Sequence, residues 1–359
     1  MTIDDKLSAS ISMSSPATFS ENPNMVDYFK TMFFKTSKKT DNQPQPTQEA
    51  TNLLVIGAGL PRTGTGSLYA ALKQIGLKPY HMKDIMEVPG QVEMWSEFMT
   101  SYKREYEMQT GSMCNDVDSN HADTSLHVHH DTLDKVLDNL ASNGYTASLD
   151  GPLCFFYNEL MQRYPEAKVI LTVRPGPNPG ESWSTSCLQT VFNLQRNTFH
   201  APWNLSSKSQ HMVQMGKAIM DLFFPTLDPQ TEMPDANQLP GVYYNHVEKV
   251  KASVPDDRLL ILDATSNDAW KLLCEFVSPI STEIHDSCES ILQSNIAYPY
   301  VNDKVPMMMV AFMMRSVTIF IKYVMPLSLL SLLVRRWGLF RSSLSKNHTI
   351  KGSHVKKIV

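Results

Sequence analysis

The sequence predicts an α/β fold with a mainly parallel sheet. Three observations carry this: short aliphatic runs of strand character, helical segments between them, and a glycine-rich turn joining the first strand to the first helix. LLVIG at residues 53–57 reads as a short buried strand. GSLYAALKQIG after it reads as a helix with Leu68, Ala71, Leu72 and Ile75 on one face and a stop at Gly76. YTASLD (145–150) and AKVILTVR (167–174) are two more buried strands. They flank a helix, PLCFFYNELMQRYP, with proline at its start and a tyrosine-proline stop. DRLLILD (257–263) adds a further strand. Alternation at this spacing covers a parallel sheet on both faces and places ligands beyond the carboxyl ends of its strands. The loops after Gly57, Leu149 and Val173 therefore share one rim.

The chain of 359 residues has 42% hydrophobic and 19% charged residues, the balance of a globular protein with a sizeable core. A net charge of -4 gives no basic excess for a nucleic-acid backbone, so nucleic acid is not an expected partner. Cys114, Cys154, Cys187, Cys274 and Cys288 are scattered, without CxxC pairs, and read as reduced thiols.

The two ends differ from the middle. Residues 1–50 are rich in Ser, Thr, Asn, Gln and Pro and read as a flexible arm, in which the short MVDYFKTMFFK (25–35) is expected to dock on the main domain. No apolar run behind a basic start marks a secretory signal, so the catalytic domain is expected in the cytosol. Residues 305–341 are almost wholly apolar up to the basic Arg335, Arg336 and Arg341, and predict a membrane-associating or transmembrane helical segment. Arg315, Lys322 and Pro326 leave open a helix lying in one leaflet. A basic tail, 342–359, follows. The expected domain is 51–304.

The stretch GAGLPRTGTGSL (57–68) is the most informative. Its glycines let backbone approach an anion, and the helix beginning near Thr65 aims its free N–H groups at the same point. The dinucleotide fingerprint GxGxxG fails at Arg62. The nucleotide-hydrolysing pattern GxxxxGK[ST] fails where Thr65 replaces the lysine. Arg62 instead supplies the cation, able to fork two phosphate or sulfate oxygens, with hydroxyls from Thr63, Thr65 and Ser67 nearby. Strand, loop and helix predict a P-loop NTPase-like three-layer fold, plus a C-terminal apolar helix.

The same loop resembles the 5'-phosphosulfate loop of sulfotransferases. YHM (80–82), LDGP (149–152), RYPEAKVILTVR (163–174) and VPDDRLLILDATSNDAWKLLCEFV (254–277) resemble, in the same order, a branch of P-loop sulfotransferases common in fungi and other eukaryotic microbes. The resemblance implies a donor, 3'-phosphoadenosine 5'-phosphosulfate (PAPS), with no metal, and donor-binding residues Pro61, Arg62, Thr63, Gly64, Thr65, Gly66 and Ser67. It also implies that Arg174 and a serine hold the 3'-phosphate. Spacing selects Ser182 and a W-x-x-S pattern selects Ser186, because RPGPNPGESWSTS carries about four extra residues. Both stay open.

An acceptor hydroxyl needs a base, and two rim residues qualify: His81 after KPY and Asp150 at the end of YTASLD. Either one takes the proton, or the carboxylate orients the histidine. Arg62 stabilises charge on the leaving phosphate. Lys73 and Lys83 read as solvated, and Trp95, Tyr102, Tyr106, Phe192 and Phe199 are either core or acceptor-pocket residues. HADTSLHVHHD gathers His121, His127, His129, His130 and Asp131 at a spacing that fits no zinc pattern and reads as a polar loop. Two other readings stay open: a nucleotide kinase or NTPase, with Asp263 of LLILD imitating a magnesium-binding strand end, and a non-catalytic membrane-attached nucleotide-binding protein. The expected acceptor is a small or lipid-like molecule offering a hydroxyl or amine. Oligomeric state is undetermined.

Overall fold

Strand β1 (Val55–Gly57) is buried throughout and sits in the middle of the sheet. The computed structural model describes residues 52–113, 130–225, 227–301, 303–328 and 330–337. The N-terminal arm, the polar histidine stretch up to residue 129, the basic tail and Cys114 lie outside the described residues. The elements that follow β1 are α1 (Thr65–Gln74), β2 (Pro79–Tyr80), α2 (Met82–Glu87), α3 (Gln91–Met113), α4 (His130–Ser142) and β3 (Ala147–Ser148). A 3-10 turn (Leu153–Phe156) then leads through α5 (Tyr157–Arg163) to β4 (Lys168–Thr172) and on to α6 (Pro179–Gln189), α7 (Val191–Thr198), α8 (Ser207–Phe223) and α9 (Leu239–Ser253). β5 (Leu259–Leu262), α10 (Ala269–Val277), α11 (Thr282–Gln293) and α12 (Lys304–Ile319) complete the described chain.

The five strands are all parallel in the order β2-β3-β1-β4-β5. Alternation along each strand divides the core in two. Ile56, Val169 and Leu171 face one layer, while Val55, Ile170 and Leu262 face the other. The second layer is closed by α1, α10 and α11 through Leu68, Leu72, Leu273 and Ile284. The first holds Trp95, Leu137, Phe156 and Trp183 from the remaining helices. Helices on both faces of a parallel sheet are the expected three-layer arrangement.

Two points differ from the sequence reading. Cys274 on α10 and Cys288 on α11 are not reduced thiols; they form a disulfide with Cα atoms 5.4 Å apart, because the two short helices pack against each other. And the core does not stop at residue 304. Met307, Val310, Ala311 and Met314 of α12 are buried in the first layer, and Trp203 Nε1 donates to Met314 O at 3.1 Å and to Thr318 Oγ1 at 3.0 Å. Burying such side chains contributes roughly 1.5–3 kcal/mol each, which holds this half of the helix to the domain. Beyond it the helix continues through a π-helical turn, Phe320–Val324, and runs Lys304–Trp337 in all, long and apolar enough to cross a membrane.

Candidate active site

The loop between β1 and α1 is held by side chains that reach its carbonyls. His246 Nε2 donates to Ala58 O at 2.7 Å, Thr63 Oγ1 to Leu60 O at 2.6 Å, Trp183 Nε1 to Pro61 O at 2.7 Å and Arg174 Nη1 to Arg62 O at 3.2 Å. Because a trans peptide sets its N–H opposite its C=O, anchoring the carbonyls of Ala58 and Pro61 turns the N–H groups of Gly59 and Arg62 to the opposite side, whereas the Thr63 N–H donates back to Leu60 O at 3.3 Å. Gly64, at φ 110°, is the N-cap of α1 and brings no side chain to cap it, so the dipole end of the helix faces the same space. Gly59 is packed against β4: a Cβ there would lie 1.9 Å from Thr172 Oγ1.

Arg62 lies in the left-handed region at φ 72°, and so does Asp150 at φ 69°. Backbone strain of order 1–3 kcal/mol at such residues is tolerated where the surroundings fix it, and functional sites concentrate it. Arg62 Nη1 is ion-paired with Asp303 Oδ1, lies 3.5 Å from Met307 Sδ, and Arg62 Nε lies 3.5 Å from Ser186 Oγ. Arg174 Nη2 donates to Ser182 Oγ at 2.9 Å, and its Nε is buried without a hydrogen-bond partner among the described residues. A buried cationic N–H left unsatisfied costs free energy until an anion meets it. The two serines therefore divide: Ser182 goes with Arg174, Ser186 with Arg62.

On the other side of the loop, His81 is the N-cap of α2 and forms a capping box with Asp84. Its Nδ1 accepts the backbone N–H of Lys83 at 3.3 Å, which leaves the proton on Nε2. Nε2 lies 3.3 Å from both Asp150 Oδ2 and Thr65 Oγ1. The other carboxylate oxygen, Asp150 Oδ1, is buried with no partner among the described residues. Thus a strand-end carboxylate, a histidine donor, two arginines and a helix N-terminus converge beyond the carboxyl ends of β1, β3 and β4.

Several expected residues stand elsewhere or act differently. The Thr63 hydroxyl is buried and committed to Leu60 O and to Thr172 Oγ1 at 2.6 Å, so it shapes the loop from behind. Ser67 Oγ accepts the backbone N–H of Val301 at 3.1 Å. Lys73 is exposed and sits over the Tyr69 ring, and Lys83 pairs with Glu87 at 3.9 Å. Trp95 and Phe192 are core residues, Tyr102 packs against that core, and Tyr106 is exposed. Asp263 Oδ1 accepts from Thr265 N and Oγ1 at 2.8 and 2.7 Å, closing the turn that follows β5. Burial pushes the Cys154 and Cys187 thiols well up, so neither is a nucleophile. Among the described residues no three His, Cys, Asp or Glu side chains gather as metal ligands. The sequence reading missed Asp303, His246, Trp183 as a loop anchor, and Tyr243, whose hydroxyl accepts the Arg174 N–H at 3.0 Å. Only Trp183, within the W-x-x-S pattern, had a signal that pointed to it.

The fold is a three-layer parallel α/β sheet with a strand-loop-helix turn at the rim of its strands. Comparison with known proteins supplies the family. A family model described as a sulfotransferase domain matches residues 54–305. The chain belongs to the sulfotransferase family, and sulfotransfer is its class of reaction. It is similar to "Ava biosynthesis cluster protein M" of Aspergillus versicolor, with 28% identity over 233 residues, 62% of this chain and 75% of that protein.

Proposed function

We propose that the protein transfers the sulfuryl group of PAPS to a hydroxyl or amine of a small or lipid-like acceptor. The carrying observation is the arrangement around Asp150: a buried carboxylate oxygen without a partner, facing the same space as Arg62 and the uncapped α1 N-terminus. The loop from Pro61 to Ser67 receives the 5'-phosphosulfate through the N–H groups of Arg62 and of the uncapped first turn of α1, Gly64 to Ser67, and through the Thr65 and Ser67 O–H groups. Arg174 and Ser182 hold the 3'-phosphate, with the orphaned Arg174 Nε as an unspent donor. When bound, PAPS supplies an activated sulfuryl group with a nucleoside bisphosphate as leaving group.

This chain's own residues do the rest. Asp150 Oδ1 takes the acceptor's proton as the oxygen or nitrogen attacks. His81, with its ring proton on Nε2, holds Asp150 Oδ2 and fixes the orientation of the carboxylate. Arg62, released from Asp303, meets the charge growing on the leaving phosphate, with Ser186 beside it. The roles proposed here reverse the order of the two candidate bases: the histidine positions and the carboxylate accepts.

The relative's name places that protein in a biosynthesis cluster, which favours a small-molecule acceptor. The apolar helix Lys304–Trp337 supports attachment to a membrane. The test incubates the full-length protein, in detergent micelles, with PAPS labelled in its sulfate and with an organic extract of membranes. Transfer of label into the extract, abolished by Asp150→Asn while nucleotide binding persists, supports the reading; label released only as inorganic sulfate contradicts it.

A further inference from the structure

The helix that begins at Lys304 has two unlike sides along its docked half. Met307, Val310 and Met314 face inward and are at most 5% exposed. Val305, Met309 and Phe312 face outward and are 60%, 48% and 72% exposed. They are spaced four and three residues apart, which is one stripe of an α-helix. Beyond the domain the helix is apolar and exposed around its whole circumference, at Ile319, Phe320, Tyr323, Val324, Leu327 and Leu330 among others. A soluble protein rarely leaves so long an apolar strip uncovered. Lys304 and Arg315 are eleven residues apart, hence within about 20° of one another around the axis, and the exposed Lys322 follows in the π-helical turn. Lys304 and Arg315 form a basic edge roughly 90° from the apolar stripe, the position from which long cations reach lipid headgroups.

The inner side of the same turn touches the donor site. Met307 Sδ is 3.5 Å from Arg62 Nη1, and the residue before Lys304, Asp303, is paired with that arginine. Just upstream, Val301 donates its N–H to Ser67 Oγ, and Tyr300 beside it is 67% exposed. One helix, about 10 Å across, therefore separates Arg62 from the outward apolar stripe.

We propose that the docked half of this helix lies in the surface of a lipid bilayer, with Val305, Met309 and Phe312 submerged and Lys304, Arg315 and Lys322 among anionic headgroups, so that the active site opens at headgroup depth. The acceptor is then a membrane-dissolved amphiphile whose hydroxyl or amine lies at that depth. The acceptor clause rests on the sulfotransfer reading; the seating of the helix does not. A bilayer is chosen over a protein partner because the stripe is continuous with a helix long and apolar enough to cross a membrane, and because Lys304 and Arg315 keep to one edge of it.

The test uses the full-length chain in a Cys114→Ser background, since Cys154 and Cys187 are buried and Cys274 is bonded to Cys288. Val305→Cys, Phe312→Cys, Leu330→Cys and, at an exposed position on α9, Glu248→Cys each receive a bimane fluorophore. The proteins are reconstituted with phosphatidylcholine/phosphatidylserine vesicles carrying spin-labelled lipid quenchers. The proposal expects strong quenching at 305 and 312 by shallow quenchers, quenching at 330, and none at 248. Changing Lys304, Arg315 and Lys322 together to glutamine should remove the preference for phosphatidylserine, at about fivefold in partition per cation. Quenching at 330 alone would overturn it, because the domain would then stand clear of the bilayer. So would shielding of the 312 label without lipid in a larger, self-associated species, which would mean that a second copy covers the stripe. Calorimetric binding of 3',5'-adenosine bisphosphate to the same proteins reports the donor site independently, so loss of that reading and loss of this one are separable.

Discussion

Arg62, the cation of the donor loop, is ion-paired with Asp303, the residue immediately before the apolar helix and 241 positions away in the chain. The pair joins the loop after the first strand to the start of the apolar helix Lys304–Trp337. In the reaction proposed above, Asp303 and the donor's anion compete for the Arg62 guanidinium.

Removing that competitor is expected to tighten donor-site binding. Asp303→Asn should bind 3',5'-adenosine bisphosphate about fivefold more tightly than the unmodified protein, equivalent to ~1 kcal/mol for a partly exposed pair. Calorimetry checks this, and weaker binding would mean that Asp303 instead aims Arg62 at the nucleotide.

Asp150 and His81 should separate in turnover. Asp150→Asn is expected to lower kcat by 10²–10⁴, the usual worth of a general base, with bisphosphate affinity unchanged. His81→Gln, which keeps a side-chain N–H donor toward Asp150, should lose about tenfold. Single-turnover transfer rates decide, and equal losses in the two variants would return the histidine to the role of base.

Arg174 and Ser182 should read chiefly the 3'-phosphate. Arg174→Ala is expected to weaken 3',5'-adenosine bisphosphate by roughly 30- to 100-fold, the loss of charge-assisted hydrogen bonds of about 2–3 kcal/mol, and adenosine 5'-phosphate by less, through the lost anchor on Arg62 O, while Ser182→Ala leaves adenosine 5'-phosphate binding unchanged. Ser186→Ala should leave that discrimination intact. If Ser186→Ala and Ser182→Ala behave alike, the assignment of the two serines fails.

His246 gives a stability signature. Burial holds its pKa below the ordinary value of 6.5, with the hydrogen bond to Ala58 O opposing the shift only in part. The unfolded chain therefore binds a proton that the folded one resists, so stability is fully present above pH 6.5 and falls as pH drops below it through the lowered folded value. His246→Gln should flatten the dependence of Tm on pH below about 6.5. An unchanged slope would assign the acid sensitivity to other groups.

Much of this was legible because it is local. Gly57 to Ser67 packs strand end, turn and helix start into one stretch, and the eight-residue step from Arg174 to Ser182 is short enough for a helix to return the serine to the arginine, as α6 does. The Gly76 stop and the parallel sheet follow from periodicity in the same way. The unread parts are contacts between distant segments. Nothing in NDKVP announces that Asp303 reaches the donor loop, and a lone histidine in YYNHVEK carries no sign that it supports Ala58. The Cys274–Cys288 pair depends on how two short helices cross, which residue types do not encode. The apolar run from Val305 showed its hydropathy but not its two sides, because inward Met307 and outward Met309 look alike until the domain is placed beside them.

The central claim is that this loop and Arg174 hold the two ends of a PAPS-type nucleotide. The most direct measurement is calorimetric titration of the full-length protein in micelles with 3',5'-adenosine bisphosphate and, separately, with ATP and magnesium, in the unmodified chain, Arg62→Ala and Arg174→Ala. The account predicts micromolar binding of the bisphosphate, lost in both variants, and no comparable binding of ATP. Preference for ATP, or bisphosphate binding indifferent to Arg174, would contradict it.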